Sequence, residues 1–176
     1  MTGGMLAWDG RAATGPVDAG RELIRDRTSP DQLVMMAWAL EEGAGRFYRG
    51  VADRATGERE RTQFLALAAA EDGHKKKVMD AWRAVAGEAP AMDPGEQGLP
   101  GIMEGGYSVS ETLDFLRSRS SREILEVAMQ IETNSLDLYL KIMRWTEHAS
   151  VKEIFSQLVA EEKKHLEGLG GLLEEL

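Results

Sequence analysis

Cysteine is absent from this chain. That omission removes disulfides, thiolate metal sites, iron–sulfur clusters and cysteine nucleophiles together, and it fits a reducing cytoplasm. Long apolar runs are missing as well. None approaches the roughly 20 residues that a spanning helix needs, and no basic segment followed by an apolar one opens the chain as a secretion signal would, so a soluble protein is expected. Positive charge is in deficit: 21 lysines and arginines face 30 acidic residues, for a formal charge of -9 at pH 7. No basic stripe interleaves with aromatics, which argues against a nucleic-acid partner.

What remains is helix-forming. With 176 residues and 43% hydrophobic content, the chain can bury one substantial core, and one main domain is the default. Ser29, Pro30 and Gln32 supply a cap, a proline at the first helical position and a capping-box partner. Leu33, Met36, Ala37, Leu40, Phe47 and Val51 then recur at helical spacing, which predicts a first helix over about 30–54. Thr56 and Gly57 interrupt it briefly. Phe64, Leu65, Leu67, Ala68, Val78 and Trp82 carry a second helix to Gly87, and so short a break forces an antiparallel hairpin. Residues 88–109 hold three of the five prolines and five glycines, so they read as a long connection. A short helix is expected from Ser110 to about Arg117. Ser120 with Glu123 makes a capping box for a third long helix, to about Thr146, and Ser150 with Glu153 makes another for a fourth, to about Leu173.

Two long hairpins joined by an extended crossover describe an all-α four-helix bundle occupying residues 29–176, with residues 1–28 as an N-terminal tail. The hairpins also repeat each other. An offset of 91 takes Leu40 to Ile131, Glu41 to Glu132, Tyr48 to Tyr139, Phe64 to Phe155, Leu67 to Leu158, Glu71 to Glu162 and His74 to His165. Apolar matches alone are the ordinary result of two amphipathic hairpins sharing a period, so the polar ones carry the weight. The chain has only three histidines, and two of them sit three residues after a glutamate at equivalent points of the repeat. With 20 glutamates among 176 residues, one such motif is unremarkable chance. Two of them, each preceded 30 residues earlier by a glutamate on the partner helix, form a constellation.

Residues three apart on a helix project from the same side, so Glu71 with His74, and Glu162 with His165, each aim two groups at one point. Glu41 and Glu132 lie beside Leu40 and Ile131 on the apolar stripes of their helices, and in an antiparallel bundle all four stripes meet at the axis. Each carboxylate taken from water costs several kcal/mol even after relaxation. Raised pKa values, with the carboxyls protonated, are the metal-free way to avoid that cost. Two divalent cations balancing four carboxylates, with neutral imidazoles completing the ligand set, are the other. The cysteine-free donor set suits Fe(II) or Mn(II), and Zn(II) binds such a site more tightly in the usual affinity order.

Among the neighbours, Glu42 and Glu161 do not recur: the repeat sets them against Thr133 and Ala70, so both read as solvated or as outer partners of the ligands. Tyr48 and Tyr139, seven residues after Glu41 and Glu132, either orient a ligand carboxylate across the bundle or serve as ordinary core tyrosines. His148 reads as a surface residue of a turn. Met35, Met36, Met79, Met129 and Met143 read as packing, and Lys75, Lys76 and Lys77 as a solvated face.

The stretches ALEEGAGRFY and FLALAAAEDGHKKKV resemble rubrerythrin-type proteins of the ferritin-like superfamily, over about residues 29–174. A glutamate from each of two helices with Glu-x-x-His from the other two is the known donor pattern of ferritin-like di-iron and di-manganese proteins. The resemblance implies that Glu41, Glu71, His74, Glu132, Glu162 and His165 are the metal ligands and, through the metals, the catalytic residues, with Glu71 and Glu162 bridging. It implies two iron ions, with manganese or zinc as alternatives, and reduction of hydrogen peroxide or oxygen using an external electron donor. Ferroxidase or iron-storage activity and a non-catalytic metal-binding scaffold are the other classes. A homodimer is expected, and no membrane partner. Two departures stand out. The chain cannot carry the cysteine-ligated rubredoxin-like domain that rubrerythrins commonly append, and Ser135 stands where they place a further glutamate one turn after the third-helix ligand.

MTGGMLAWDG, through Gly3, Gly4, Trp8 and Gly10, resembles the end of a rhodanese sulfurtransferase domain. That resemblance implies a longer parent in which a sulfurtransferase precedes the bundle, with residues 17–27 as an interdomain helix whose Leu23 and Ile24 need cover from a second subunit.

Overall fold

The computed structural model describes residues 30–86 and 101–176. The expected tail, the interdomain helix, most of the crossover and Ser29, with the cap expected of it, lie outside them. Four long helices dominate: α1 (Pro30–Ala52), α2 (Glu58–Ala86), α4 (Ser121–Trp145) and α5 (Ala149–Glu174). Between α2 and α4 lie a minimal hairpin of β1 (Ile102–Met103) and β2 (Tyr107–Ser108), then the short helix α3 (Val109–Phe115). The fold is the all-α ferritin-like bundle. Among the described residues, no helix is long and apolar enough to cross a membrane.

The repeat holds to the residue at the helix starts: the offset of 91 that pairs the ligands also carries Pro30 to Ser121 and Glu58 to Ala149. Chain reversals are short, five residues between α1 and α2 and three between α4 and α5, and each pair therefore packs as an antiparallel hairpin. Capping follows expectation at α4, where the Ser120 hydroxyl accepts from Glu123 N and the Glu123 carboxylate accepts from Ser120 N. It does not at α5. The Ser150–Glu153 capping box is not formed, because the helix already begins at Ala149, with His148 as a cap that makes no side-chain bond. Thr146 Oγ1 accepts from His148 N and closes that turn instead.

The long connection is also more ordered at its end than its composition implies. Ile102 pairs with Ser108 and Met103 with Tyr107, around a 3-10 turn at Glu104–Gly106 in which Gly105 and Gly106 adopt φ of 79° and 75°. The hairpin lies against α1 at Gly43, where an added Cβ would stand 2.1 Å from Ile102 O. Only a glycine allows that approach. α3 is capped by Ser108, two residues before the expected start.

The apolar interior falls into two clusters. One gathers Phe47, Tyr48 and Val51 of α1 with Phe64 and Leu67 of α2, Leu125 and Ile131 of α4, Leu169 of α5 and Met103 of the hairpin. The other gathers Val34, Ala37 and Leu40 with Val78, Ala81, Leu138, Tyr139, Phe155 and Leu158. Each long helix contributes one half to each cluster. Between them, at mid-length of all four helices, lies a polar layer.

Candidate metal centre

That layer is built by helical periodicity. Glu41, Glu71, Glu132 and Glu162 all sit on the stripes that bury Leu40, Leu67, Ile131 and Leu158, so packing the bundle drags them inward. None is more than 2% exposed, and His74 is at 1%; His165 is partly buried. All six candidates from the repeat therefore arrive in one place, from four different helices.

Their donor atoms converge. Nδ1 of His74 lies 3.0 Å from Glu71 Oε2, 3.1 Å from Glu162 Oε1 and 3.3 Å from Glu41 Oε2. Nδ1 of His165 lies 3.1 Å from Glu132 Oε2 and 3.1 Å from Glu162 Oε2. The two imidazoles stack at 5.3 Å between centroids and 22° between planes. Ligand atoms within 4.8 Å of one another form the set Glu41, Glu71, His74 and Glu162, and the set Glu71, Glu132 and His165. Glu71 belongs to both. Glu162 turns one oxygen to each histidine. Such a pair of overlapping sets is a possible metal-ligand group for two ions sharing two carboxylates.

Hydrogen bonding does not explain this crowding. Both oxygens of Glu41, Oε1 of Glu162 and both ring nitrogens of His74 are buried without an aligned hydrogen-bond partner. Buried polar atoms are rarely left so, and here the orphans face one another. A cation accepted by all of them at once satisfies lone pairs that cannot satisfy each other, so the residues present fit a divalent metal pair.

The electrostatics describe what the same atoms do with protons. Burial pushes the Glu41 carboxyl well above the ordinary carboxylate range, and Glu71 beside it pushes further. Burial does the same to Glu132, reinforced by Glu162. For His74, burial works against the charge but Glu41, Glu162 and Glu71 overcome it and hold the imidazole protonated. Burial also opposes ionisation of Glu162, yet its close polar contacts with Glu132, His165 and His74 keep it below the usual range. Protons and cations are thus alternative occupants of one ligand set.

Around the centre, Tyr48 donates its phenol to Glu132 Oε1, the across-bundle contact that its spacing allowed. Its counterpart Tyr139 is just as buried, but its hydroxyl has no partner. Glu161 is an outer partner: Oε2 lies 3.2 Å from His74 Nε2, and Oε1 accepts from Lys77. Glu42 accepts from Arg46 and Lys75 at the surface, and Lys75 also pairs with Asp72. His148 is exposed. One residue near the centre escapes the repeat altogether. Glu104, in the 3-10 turn of the crossover hairpin, is 2% exposed, and the charges acting on it are those of Glu71, Glu162 and His74.

A family model described as rubrerythrin matches residues 32–173. No curated protein matches the chain.

Proposed function

The chain belongs to the rubrerythrin family, and on that premise we propose that it is a dinuclear iron protein that reduces hydrogen peroxide or oxygen with electrons from an external donor. Glu41, Glu71, His74, Glu132, Glu162 and His165 are the ligands, with Glu71 and Glu162 shared between the ions. The observation that carries the reading is the pair of overlapping donor sets around His74 and His165, with orphaned oxygens directed between them.

Held by these residues, an iron pair would supply the two electrons that reduction of one peroxide, with two protons, to two waters requires. The chain's own contribution is placement and exclusion of water. His74 and His165 each set one nitrogen toward the shared carboxylates, Tyr48 fixes the orientation of Glu132, and Glu161 backs His74 from outside. Phe47, Phe64 and Leu67 on one side, and Phe155 and Leu158 on the other, keep the layer dry.

The test is metal analysis of protein produced in iron-replete cells, followed by steady-state peroxide consumption with a supplied reductant. Two irons per chain and reductant-dependent turnover are expected. Iron-loaded protein that consumes no peroxide would sink the peroxidase reading. Net iron oxidation by a closed cage would favour storage, and equal performance of zinc in stabilising an inactive chain would favour a scaffold.

A further inference from the structure

Nothing in the repeat prepares for Glu104. Its position is set by the crossover hairpin, which bridges α1 and α4 at the level of the metal layer. On one side Ile102 O crosses α1 at Gly43, two residues beyond Glu41. On the other, a Cβ on Gly105 would stand 2.5 Å from Asn134 Nδ2, two residues beyond Glu132. Tyr107 adds a hydrogen bond from Gln130 of α4 at 2.7 Å. Met103, fully buried, plugs the hairpin into the apolar cluster beside Tyr48. The next side chain, Glu104, enters the interior.

A lone carboxyl in a turn has every opportunity to face water, and glutamate is almost never fully buried without a partner. Glu104 is buried, and its Oε2 has no hydrogen-bond partner. The charges acting most on it are those of Glu71, Glu162 and His74, the two shared carboxylates and a histidine of the centre. Burying an acid beside two others, with the single imidazolium of His74 to answer all of them, is destabilising unless a cation from outside adds to it.

We propose that Glu104 is a further carboxylate ligand of the metal pair, delivered by the crossover and not by the bundle. The proposal rests on the dinuclear reading of the six-residue site and adds a seventh residue to it. It also gives the hairpin a role: the tight seat of Ile102 on Gly43 holds the turn where its carboxylate reaches the ions.

Cobalt(II) titration of the full chain tests this, because the visible d–d bands of the bound ion report ligand number and geometry independently of turnover. The unsubstituted chain is expected to take up two Co(II) ions. Glu104→Gln is expected to keep its fold, with a metal-free melting temperature no lower than that of the unsubstituted chain, to weaken one of the two binding steps by about 10- to 100-fold, and to change the band pattern. Glu104→Asp, which retains the charge on a shorter arm, should fall between. Two Co(II) bound by Glu104→Gln with unaltered affinities and spectrum would overturn the proposal while leaving the dinuclear centre standing. Failure of the unsubstituted chain to bind two ions would overturn both. Should Glu104→Gln not fold, Glu104→Asp decides alone: unaltered affinities and bands refute the role, and a weakened step with shifted bands supports it.

Discussion

Tyr48 of α1 donates its phenol to Glu132 of α4, closing a hydrogen bond sealed from water across the bundle. The repeat predicts a mirror contact from Tyr139 to Glu41, and it is not made: the Tyr139 hydroxyl and both Glu41 oxygens lack partners. The layer is therefore not symmetric about its pseudo-twofold, and Glu132 is the better fixed of the two carboxyls.

Tyr48→Phe should destabilise the protein by about 1–3 kcal/mol, the range for a buried hydrogen bond whose acceptor is left unsatisfied. Tyr139→Phe should change stability by less than about 0.5 kcal/mol, because it removes a hydroxyl that has no partner to lose. Thermal melts of both variants check this, and equal effects would contradict the asymmetry.

The metal-free protein should lose stability as pH rises. Glu41 and Glu132 hold protons more tightly folded than their ordinary value of 4.5 allows in the unfolded chain, so raising pH through that window favours unfolding. His74 acts with the same sign above its ordinary 6.5, because the fold keeps it protonated after the unfolded chain has released the proton. Glu162 opposes them only below 4.5, where its lowered value makes acid destabilising. The melting temperature of chelator-stripped protein should fall between about pH 5 and 8. Metal-loaded protein should not follow it, since cation binding displaces those protons and strengthens with pH. A stripped protein that gains stability over this range would refute the assignment.

Glu161 has no counterpart in the first hairpin, where Ala70 occupies its place, so among the described residues only His74 has a carboxylate behind its outer nitrogen. Glu161→Gln should weaken the metal step associated with His74 by about 10-fold and leave the other unchanged. Calorimetric titration with Mn(II) resolves the two steps, and two unaffected steps would remove Glu161 from the centre.

Gly43→Ala should cost about 1–3 kcal/mol, because its Cβ would lie 2.1 Å from the Ile102 carbonyl oxygen and the hairpin must move. Gly171→Ala, in α5 with nothing within 4 Å of its Cβ, should stabilise by about 0.5–1 kcal/mol through helix propensity. Denaturant unfolding of the pair measures both signs.

The bundle and its polar layer were legible because both are local and periodic. Helical spacing places Glu71 with His74 and Glu162 with His165, and the repeat picks Glu41 over the adjacent Glu42 and Glu162 over the adjacent Glu161. Glu104 was not legible. It sits in a glycine-rich turn without a periodic partner, and its burial depends on a contact between Ile102 and Gly43, 59 residues apart in sequence. The available signal was faint: a glycine inside an amphipathic helix, and an Ile-Met pair wedged between glycines in a polar connection. The Ser150–Glu153 cap failed for a related reason, since a three-residue turn tied by Thr146 sets the start of α5 and leaves Ser150 already inside the helix.

A polar seam divides the hydrophobic interior into two portions, and each long helix runs through both. Filled with cations, the seam behaves as a rivet through four rods; stripped, it is the plane along which water first enters. Proteases should therefore nick the chelated chain inside its helices far faster than the loaded one, so that scarcity of metal would shorten the molecule's lifetime.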